Sequence, residues 1–155
     1  MKPKLLVATQ IDNISGLREK LEYHFDIIYF PNLVLENLKM IDIDIRSIFT
    51  NPNNSRVYFD KQVLGKFKSL NTFATASTGT IHIDTNYLKA VGVKLLSITK
   101  SISVLEKITS TAEHAFLLTL AALRNYDAAV SSVHTGKWDY APFIGRQMNA
   151  LKIGV

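Results

Sequence analysis

The sequence predicts an α/β fold in which a parallel sheet is covered by helices on both faces. Short runs rich in Ile, Val and Leu alternate with helical patterns along residues 4–98. This alternation is expected of parallel strands joined by crossover helices, because such strands are buried on both sides. The predicted strands are 4–9, 26–30, 42–49, 71–76 and 94–98. Five strands connected in this way favour a flavodoxin-like arrangement.

Helical patterns lie between these strands. Leucines recur at helical spacing in residues 17–21 and again in residues 33–38, which predicts helices after the first and second strands. Residues 84–91 predict a short helix with Asp84 as its N-cap, since an aspartate side chain can accept a hydrogen bond from a first-turn amide.

A longer helix is predicted to begin near residue 110 and to reach about Val130. Ser110 and Glu113 have the spacing of a capping box, which marks a helix start. Within residues 115–123 only Thr119 is polar, so this helix is apolar nearly all round. One sheet face cannot cover such a helix. We therefore expect a second domain or a second subunit to cover it, because an exposed apolar surface promotes association.

The chain is predicted to hold one complete domain and the start of another. Residues 1–103 would form the flavodoxin-like domain, and residues 104–155 would hold the long helix. Residues 151–155 have the composition of a buried strand, which needs neighbours to pair with. We interpret this last strand as the beginning of an incomplete second domain.

Composition restricts the classes of function. The chain has 155 residues, of which 47% are hydrophobic and 20% charged, as in an ordinary globular domain. Its net charge of +5 is spread thinly, and only Lys61, Lys66 and Lys68 crowd together, so no nucleic-acid partner is predicted. The absence of cysteine excludes disulfides and thiolate chemistry.

No membrane span and no metal site are predicted. The longest apolar-rich run, residues 115–123, is far short of the roughly 20 residues that cross a bilayer, and no signal segment is present, so we expect a cytoplasmic protein. His24, His82 and His134 lack the spacing of metal ligands and are expected at the surface.

One segment has the pattern of an anion site. Ser77, Thr78 and Gly79 follow a predicted strand and precede a helix, where successive backbone amides can bind a carboxylate. A plain turn between strand and helix would explain the same residues.

Three segments together resemble the D-isomer-specific 2-hydroxyacid dehydrogenase family, which includes phosphoglycerate, D-lactate and glyoxylate or hydroxypyruvate enzymes. They match in order and spacing over residues 71–155. The segments are 74–84 (ATASTGTIHID), 110–115 (STAEHA), and 136–138 (GKW) followed by 151–155 (LKIGV).

The resemblance implies a two-domain oxidoreductase that transfers hydride between a D-2-hydroxy acid and a 2-keto acid. The flavodoxin-like part would bind the small acid, a Rossmann domain would bind NAD or NADP, and the helix at 110–130 would cross between them. Because this helix is apolar nearly all round, we also expect it to pair with a second copy in a homodimer. The family's glycine-rich loop and its catalytic Arg, Glu and His would lie after residue 155. The chain is thus expected to be truncated, to hold no catalytic residue, to bind no cofactor and to be inactive by itself.

The resemblance also implies roles for particular residues. The backbone at the positions of Thr78 and Gly79 would contact the substrate carboxylate. Arg46 and Ser47 match an Arg-Ser pair that faces the substrate cleft in some members, although an Arg there could equally form a surface ion pair.

Other positions bear on the cofactor contact and on the identity of the substrate, but decide neither. Thr109 and Ser110 lie at a helix start and are candidates for cofactor contact, although capping alone explains Ser110. The family often has Gly at the position of Ser77 and an Asp or Asn pair at the positions of Ile81 and His82. Because this sequence departs from that pattern, it does not identify the substrate.

The alternative is a non-catalytic module for signalling or dimerisation. A receiver domain needs an acidic pair after its first strand and an aspartate after its third, whereas Asp12 stands alone and residues 46–50 contain no acid. A dimerisation module would use the apolar helix, with Phe116 and Leu120 at its contact.

Overall fold

Five short parallel strands form one sheet in the part of the chain that the structure describes, as the sequence predicts. The computed structural model describes residues 1–41, 44–52, 56–152 and 154. The strand order β2-β1-β3-β4-β5 is the flavodoxin-like order, and each neighbouring pair is parallel. The strands are β1 (Lys4–Ala8), β2 (Asp26–Tyr29), β3 (Ser47–Thr50), β4 (Thr72–Thr75) and β5 (Lys94–Ser97).

The chain divides into two compact units, Met1–Leu105 and Glu106–Val155. The first unit holds the sheet. Its helices are α1 (Leu17–His24), α2 (Lys61–Leu64), α3 (Thr85–Ala90) and α4 (Ile102–Leu105), with 3₁₀ turns at Leu35–Lys39 and Ile98–Lys100. The second unit contains α5 (Ser110–Leu123), α6 (Tyr126–His134) and 3₁₀ turns at Ala141–Phe143 and Met148–Ala150.

Alternate residues of the strands face opposite sides of the sheet, and helices cover both sides. On β1, Leu5 and Val7 pack with Leu17 and Leu21 of α1. Leu6 lies on the other side, in the larger core cluster. That cluster also contains Ile48, Phe59, Phe73, Val63, Leu64 and Leu88, the last three from α2 and α3. The prediction of helices on both faces is confirmed.

Aspartates cap two helices of the first unit. Asp84 Oδ1 accepts a hydrogen bond from the Tyr87 amide at 2.9 Å, which confirms the predicted N-cap of α3. Asp60 Oδ1 accepts from the Val63 amide at 2.8 Å and begins α2, a helix that was not predicted. The same aspartate signal could have identified α2, but four residues are too few for a periodic pattern.

Two predicted elements of the first unit differ from the structure. The third strand, predicted over 42–49, is β3 at Ser47–Thr50, while residues 42 and 43 lie outside the described residues. The helix predicted from residues 33–38 is a 3₁₀ turn at Leu35–Lys39. There the Asn37 side chain accepts a hydrogen bond from the Val34 amide at 3.0 Å, which closes a tight local turn.

The long helix predicted over 110–130 is interrupted. α5 ends at Leu123, and α6 begins at Tyr126 after Asn125, which has a left-handed φ of 48°. Asparagine adopts this conformation more readily than most residues, so it can turn the chain between two helices. At the start of α5, Thr109 rather than Ser110 is the N-cap residue.

The strand predicted at residues 151–155 is not found in the described residues Leu151, Lys152 and Gly154, and residues 153 and 155 lie outside them.

The α5 surface is apolar and open. No side chain of α5, all of whose residues are described, is buried, and Phe116, Leu117 and Leu118 are 55%, 60% and 55% exposed. These adjacent side chains form a larger exposed apolar surface than single, scattered apolar residues do. No helix within the described ranges has the length and apolar character needed to cross a membrane.

Candidate carboxylate-binding site

The candidate site lies beyond the carboxyl end of β4, in residues 76–80, which we call the edge loop. In open parallel sheets, ligands bind in the crevice outside the carboxyl ends of the strands. The loop starts at a defined place, because the Ala76 amide donates to the Thr50 carbonyl at the end of β3 over 2.9 Å. Ser77 is half-buried, whereas Thr78 and Gly79 are exposed.

The edge loop offers free backbone donors. The Ala76 amide is hydrogen-bonded, but those of Ser77, Thr78 and Gly79 find no acceptor within the described ranges. Backbone N–H groups that are successive and unpaired suit an anion. The next helix, α3, begins only at Thr85, so the attraction must come from the loop amides themselves rather than from a helix N-terminus.

Gly79 leaves open space at the loop. A Cβ built on Gly79 would meet no atom of the described chain within 4 Å, and its φ is outside the left-handed region. The fold therefore does not require glycine at this position. Because glycine has no side chain, it allows another molecule to approach the backbone closely.

A buried polar cluster lies beneath the edge loop. Thr75 Oγ1 is 2.8 Å from Ser77 Oγ and 3.3 Å from His82 Nε2, and Ser77 Oγ donates to the Gly79 carbonyl over 2.7 Å. Thr50, the neighbour of Thr75 across the sheet, is also fully buried.

Two polar atoms of this cluster have no partner among the described residues. They are Thr50 Oγ1 and His82 Nδ1. A buried polar atom without a partner is costly, and such atoms gather at functional positions in many proteins.

His82 is buried, in contrast to the predicted surface position. It is only 7% exposed, and this burial lowers the pKa of its imidazole below the usual value of 6.5. Backbone hydrogen bonds hold it there, since the Phe59 amide donates to the His82 carbonyl and the Asp84 amide donates to the Phe59 carbonyl, both at 2.9 Å. Residues 59 and 82–84 are far apart in the sequence. No local pattern of residue types therefore predicted the contact between them.

Arg46 and Ser47 lie where β3 begins, at the amino ends of the strands, whereas the edge loop lies beyond the carboxyl end of β4. The Arg46 amide donates to the Lys4 carbonyl at the start of β1, and Ser47 is the first residue of β3. About 10 Å of strand separates Ser47 from Thr50 at the carboxyl end. The structure does not bring Arg46 and Ser47 to the loop that holds Ser77, Thr78 and Gly79, and their assignment to the substrate cleft stays a prediction.

Thr109 and Ser110, the predicted cofactor contacts, belong to the second unit and are exposed. The Thr109 hydroxyl donates to Glu113 Oε1 over 2.5 Å. The seven glycines of the chain do not form a G-x-G-x-x-G pattern, so the residues present do not make a dinucleotide site. Within the described parts of the chain, no group of three or more His, Asp or Glu side chains could hold a metal ion.

The strand order defines an α/β domain of flavodoxin-like arrangement. Comparison with known proteins then gives its relationships, although no family model matches the sequence. A formate dehydrogenase of Pichia angusta is 30% identical over 141 residues, which cover 84% of this chain and 36% of that enzyme. A D-3-phosphoglycerate dehydrogenase of Archaeoglobus fulgidus is 32% identical over 101 residues, 65% of this chain and 18% of that enzyme.

A solved structure shows the same fold. The D-lactate dehydrogenase of Aquifex aeolicus, complexed with NAD and lactic acid, superposes with a TM-score of 0.70 at 19% identity, over 96% of this chain and 42% of that one. The predicted resemblance is confirmed: the chain is similar in sequence to formate and D-3-phosphoglycerate dehydrogenases and in fold to a D-lactate dehydrogenase. It spans less than half the length of these three relatives.

Proposed function

We propose that the chain is the substrate-binding portion of an NAD(P)-dependent oxidoreductase that interconverts a D-2-hydroxy acid and a 2-keto acid. In this proposal residues 1–103 bind the acid, and residues 104–155 begin the dinucleotide-binding part of the enzyme. The observation that carries it is the run of free backbone amides at Ser77, Thr78 and Gly79, beyond β4. Formate and 3-phosphoglycerate, named for the two sequence relatives, both carry a carboxylate, which such amides can bind.

The edge loop would hold and orient the acid. Amide N–H groups that donate to both carboxylate oxygens fix the direction of the neighbouring carbon, and orientation of this kind accounts for a large share of a catalysed rate. When bound elsewhere in the enzyme, NADH or NADPH would supply hydride to the 2-keto acid, and NAD⁺ or NADP⁺ would accept hydride from the 2-hydroxy acid in the reverse direction. Because the sequence contains no G-x-G-x-x-G nucleotide loop, we propose that the chain by itself has no turnover.

The carboxylate proposal predicts a specific titration result. When pyruvate is added to the ¹⁵N-labelled chain, we expect saturable shifts of the Ser77, Thr78 and Gly79 amide signals, because a carboxylate hydrogen-bonded to an amide changes its chemical shift. Pyruvamide, which has the same shape without the charge, is the matched control and should leave these signals in place. Equal shifts with both compounds, or shifts confined to other residues, would refute the proposed site.

Turnover is tested separately. The chain with NADH and a panel of 2-keto acids should give no saturable oxidation of NADH, whereas measurable turnover would contradict the proposal that the catalytic residues lie elsewhere.

We also propose that the protein forms a homodimer through α5. The exposed side chains of Phe116, Leu117 and Leu118 form an apolar surface, and burial of about 25 cal/mol per Å² favours its removal from water. The cysteine-free composition is compatible with the cytoplasm, where we propose that the protein works.

The dimer proposal predicts that Phe116→Lys weakens self-association by more than about tenfold, since a hot-spot aromatic residue typically contributes about 2 kcal/mol or more to an interface and about 1.4 kcal/mol corresponds to tenfold. Light scattering over a concentration series measures this. Tyr23→Lys is the matched control, because Tyr23 is 76% exposed but lies on α1 of the first unit. A monomer at every concentration in the unmodified protein would show that α5 is not a dimer surface.

A further inference from the structure

A chain of hydrogen bonds links buried His82 to the backbone of the edge loop. It runs from His82 Nε2 to Thr75 Oγ1 (3.3 Å), from Thr75 Oγ1 to Ser77 Oγ (2.8 Å), and from Ser77 Oγ to the Gly79 carbonyl (2.7 Å). We call these four groups the relay. His82 and Thr75 are buried, whereas Ser77 and Gly79 lie in the loop at the surface.

The end of the relay determines the direction of every bond in it. The Gly79 carbonyl can only accept, so the Ser77 hydroxyl uses its single hydrogen there. Ser77 Oγ must then accept from the Thr75 hydroxyl, and Thr75 Oγ1 must accept from His82. His82 therefore carries a hydrogen on Nε2, and in the neutral ring its Nδ1 carries none.

The unpartnered Nδ1 atom agrees with this assignment. No group within the described residues bonds to His82 Nδ1, which is buried. A hydrogen on Nδ1 would be a buried donor without an acceptor, which costs about 1–3 kcal/mol. Burial also lowers the pKa of His82, which favours the neutral ring that the unpartnered Nδ1 atom implies.

The relay holds the Gly79 carbonyl toward the Ser77 hydroxyl. In a trans peptide the C=O and the following N–H point in opposite directions, so this bond also sets the direction of the Thr80 amide. If the Gly79 carbonyl turned outward instead, its oxygen would repel a carboxylate at the free amides of Thr78 and Gly79.

We propose that His82 is a positioning residue that orders the edge loop for carboxylate binding, acting through the hydroxyls of Thr75 and Ser77. The functional part of this inference rests on the proposed carboxylate site, whereas the ordering of the loop does not.

The first test needs no variant. Long-range ¹H–¹⁵N correlation spectra of the histidine rings distinguish a protonated ring nitrogen from an unprotonated one. We expect His82 to carry its hydrogen on Nε2 at pH 7. A hydrogen on Nδ1, or a rapidly averaged ring, would overturn the relay.

The second test compares two replacements of His82. His82→Gln keeps an N–H donor close to the position of Nε2, while His82→Leu fills space without a donor. Without ligand, we expect lower heteronuclear ¹H–¹⁵N NOE values for Ser77, Thr78 and Gly79 in His82→Leu, and values near those of the unmodified chain in His82→Gln. Unchanged loop order in His82→Leu would overturn the proposal.

The same variants are then titrated with pyruvate. Loss of one ordering hydrogen bond, at about 1.4 kcal/mol, corresponds to roughly tenfold weaker binding in His82→Leu, with most of the affinity restored in His82→Gln. Equal affinity of the two variants would overturn the proposal. If the unmodified chain itself fails to bind pyruvate at the loop, the proposed function fails, and the loop-order comparison still decides the role of His82.

Ser77→Ala breaks the relay at its other end and does not depend on a buried replacement. We expect the same loss of affinity and of loop order as in His82→Leu, and no further loss in the double variant, because both changes interrupt one connection. Additive losses would show that His82 acts only by filling the core.

Discussion

Phe73→Ala is expected to lower the free energy of unfolding of the first unit by about 3–5 kcal/mol, the range observed when a buried phenylalanine is truncated. Phe73 is 0% exposed and lies at the centre of β4. Its ring makes an edge-to-face contact with Phe59 at 5.0 Å between centroids, and Phe59 is also 0% exposed. Truncation of Phe73 removes both the apolar area that the ring buries and its aromatic contact with Phe59.

Urea unfolding followed by far-UV circular dichroism measures this change. Small domains are stable by only about 5–15 kcal/mol, so the variant is expected to be partly unfolded at 37 °C. Phe73→Leu is the matched control, because it keeps most of the apolar volume and should lose less than half as much. A loss below about 1 kcal/mol for Phe73→Ala would show that the core between β4 and residue 59 is not closely packed.

Gly145→Val is expected to disrupt the packing of the second unit. A Cβ on Gly145 would lie 2.1 Å from the Leu123 carbonyl oxygen and 3.1 Å from Arg124 Cα, and both are backbone atoms at the end of α5. Backbone cannot move aside as a side chain can, so the loop that contains Gly145 must leave this position. The hydrogen bond from the Arg146 amide to the Leu123 carbonyl, 3.1 Å long, would be lost with it.

Amide hydrogen exchange reports the effect, with a more than tenfold loss of protection expected at Arg146. Gly79→Ala is the matched control, since its Cβ would meet no described atom within 4 Å and its φ is not left-handed. That control should leave the exchange pattern and the unfolding temperature unchanged. Retained protection at Arg146 in Gly145→Val would mean that the loop does not lie against α5.

The site and the core are built from the same strands. Thr75, the last residue of β4, is part of the relay, while Phe73, two residues earlier and on the same face, lies in the core. The position of the edge loop is therefore tied to the packing of Phe73. Truncation of Phe73 should weaken the binding of pyruvate as well as the fold.

Local patterns in the sequence predicted most of the elements. Short apolar segments predicted all five strands to within a few residues, except that β3 begins later than expected. Asp84 marked the start of α3, because an N-cap depends only on a side chain and amides a few residues away. The family resemblance of residues 71–155 located the edge loop for the same reason, since its residues are consecutive.

By itself, the sequence determined the class of fold, the succession of its five strands, the edge loop at Ser77, Thr78 and Gly79, and the apolar character of α5. These properties follow from residue spacing and from contacts between near neighbours in the chain. Only the tertiary structure decided that Arg46 and Ser47 lie where β3 begins, away from the edge loop, and that His82 is buried beneath the loop. Both depend on pairing between segments far apart in sequence, namely Lys4 with Arg46 and Phe59 with His82, and no local pattern encodes such pairing.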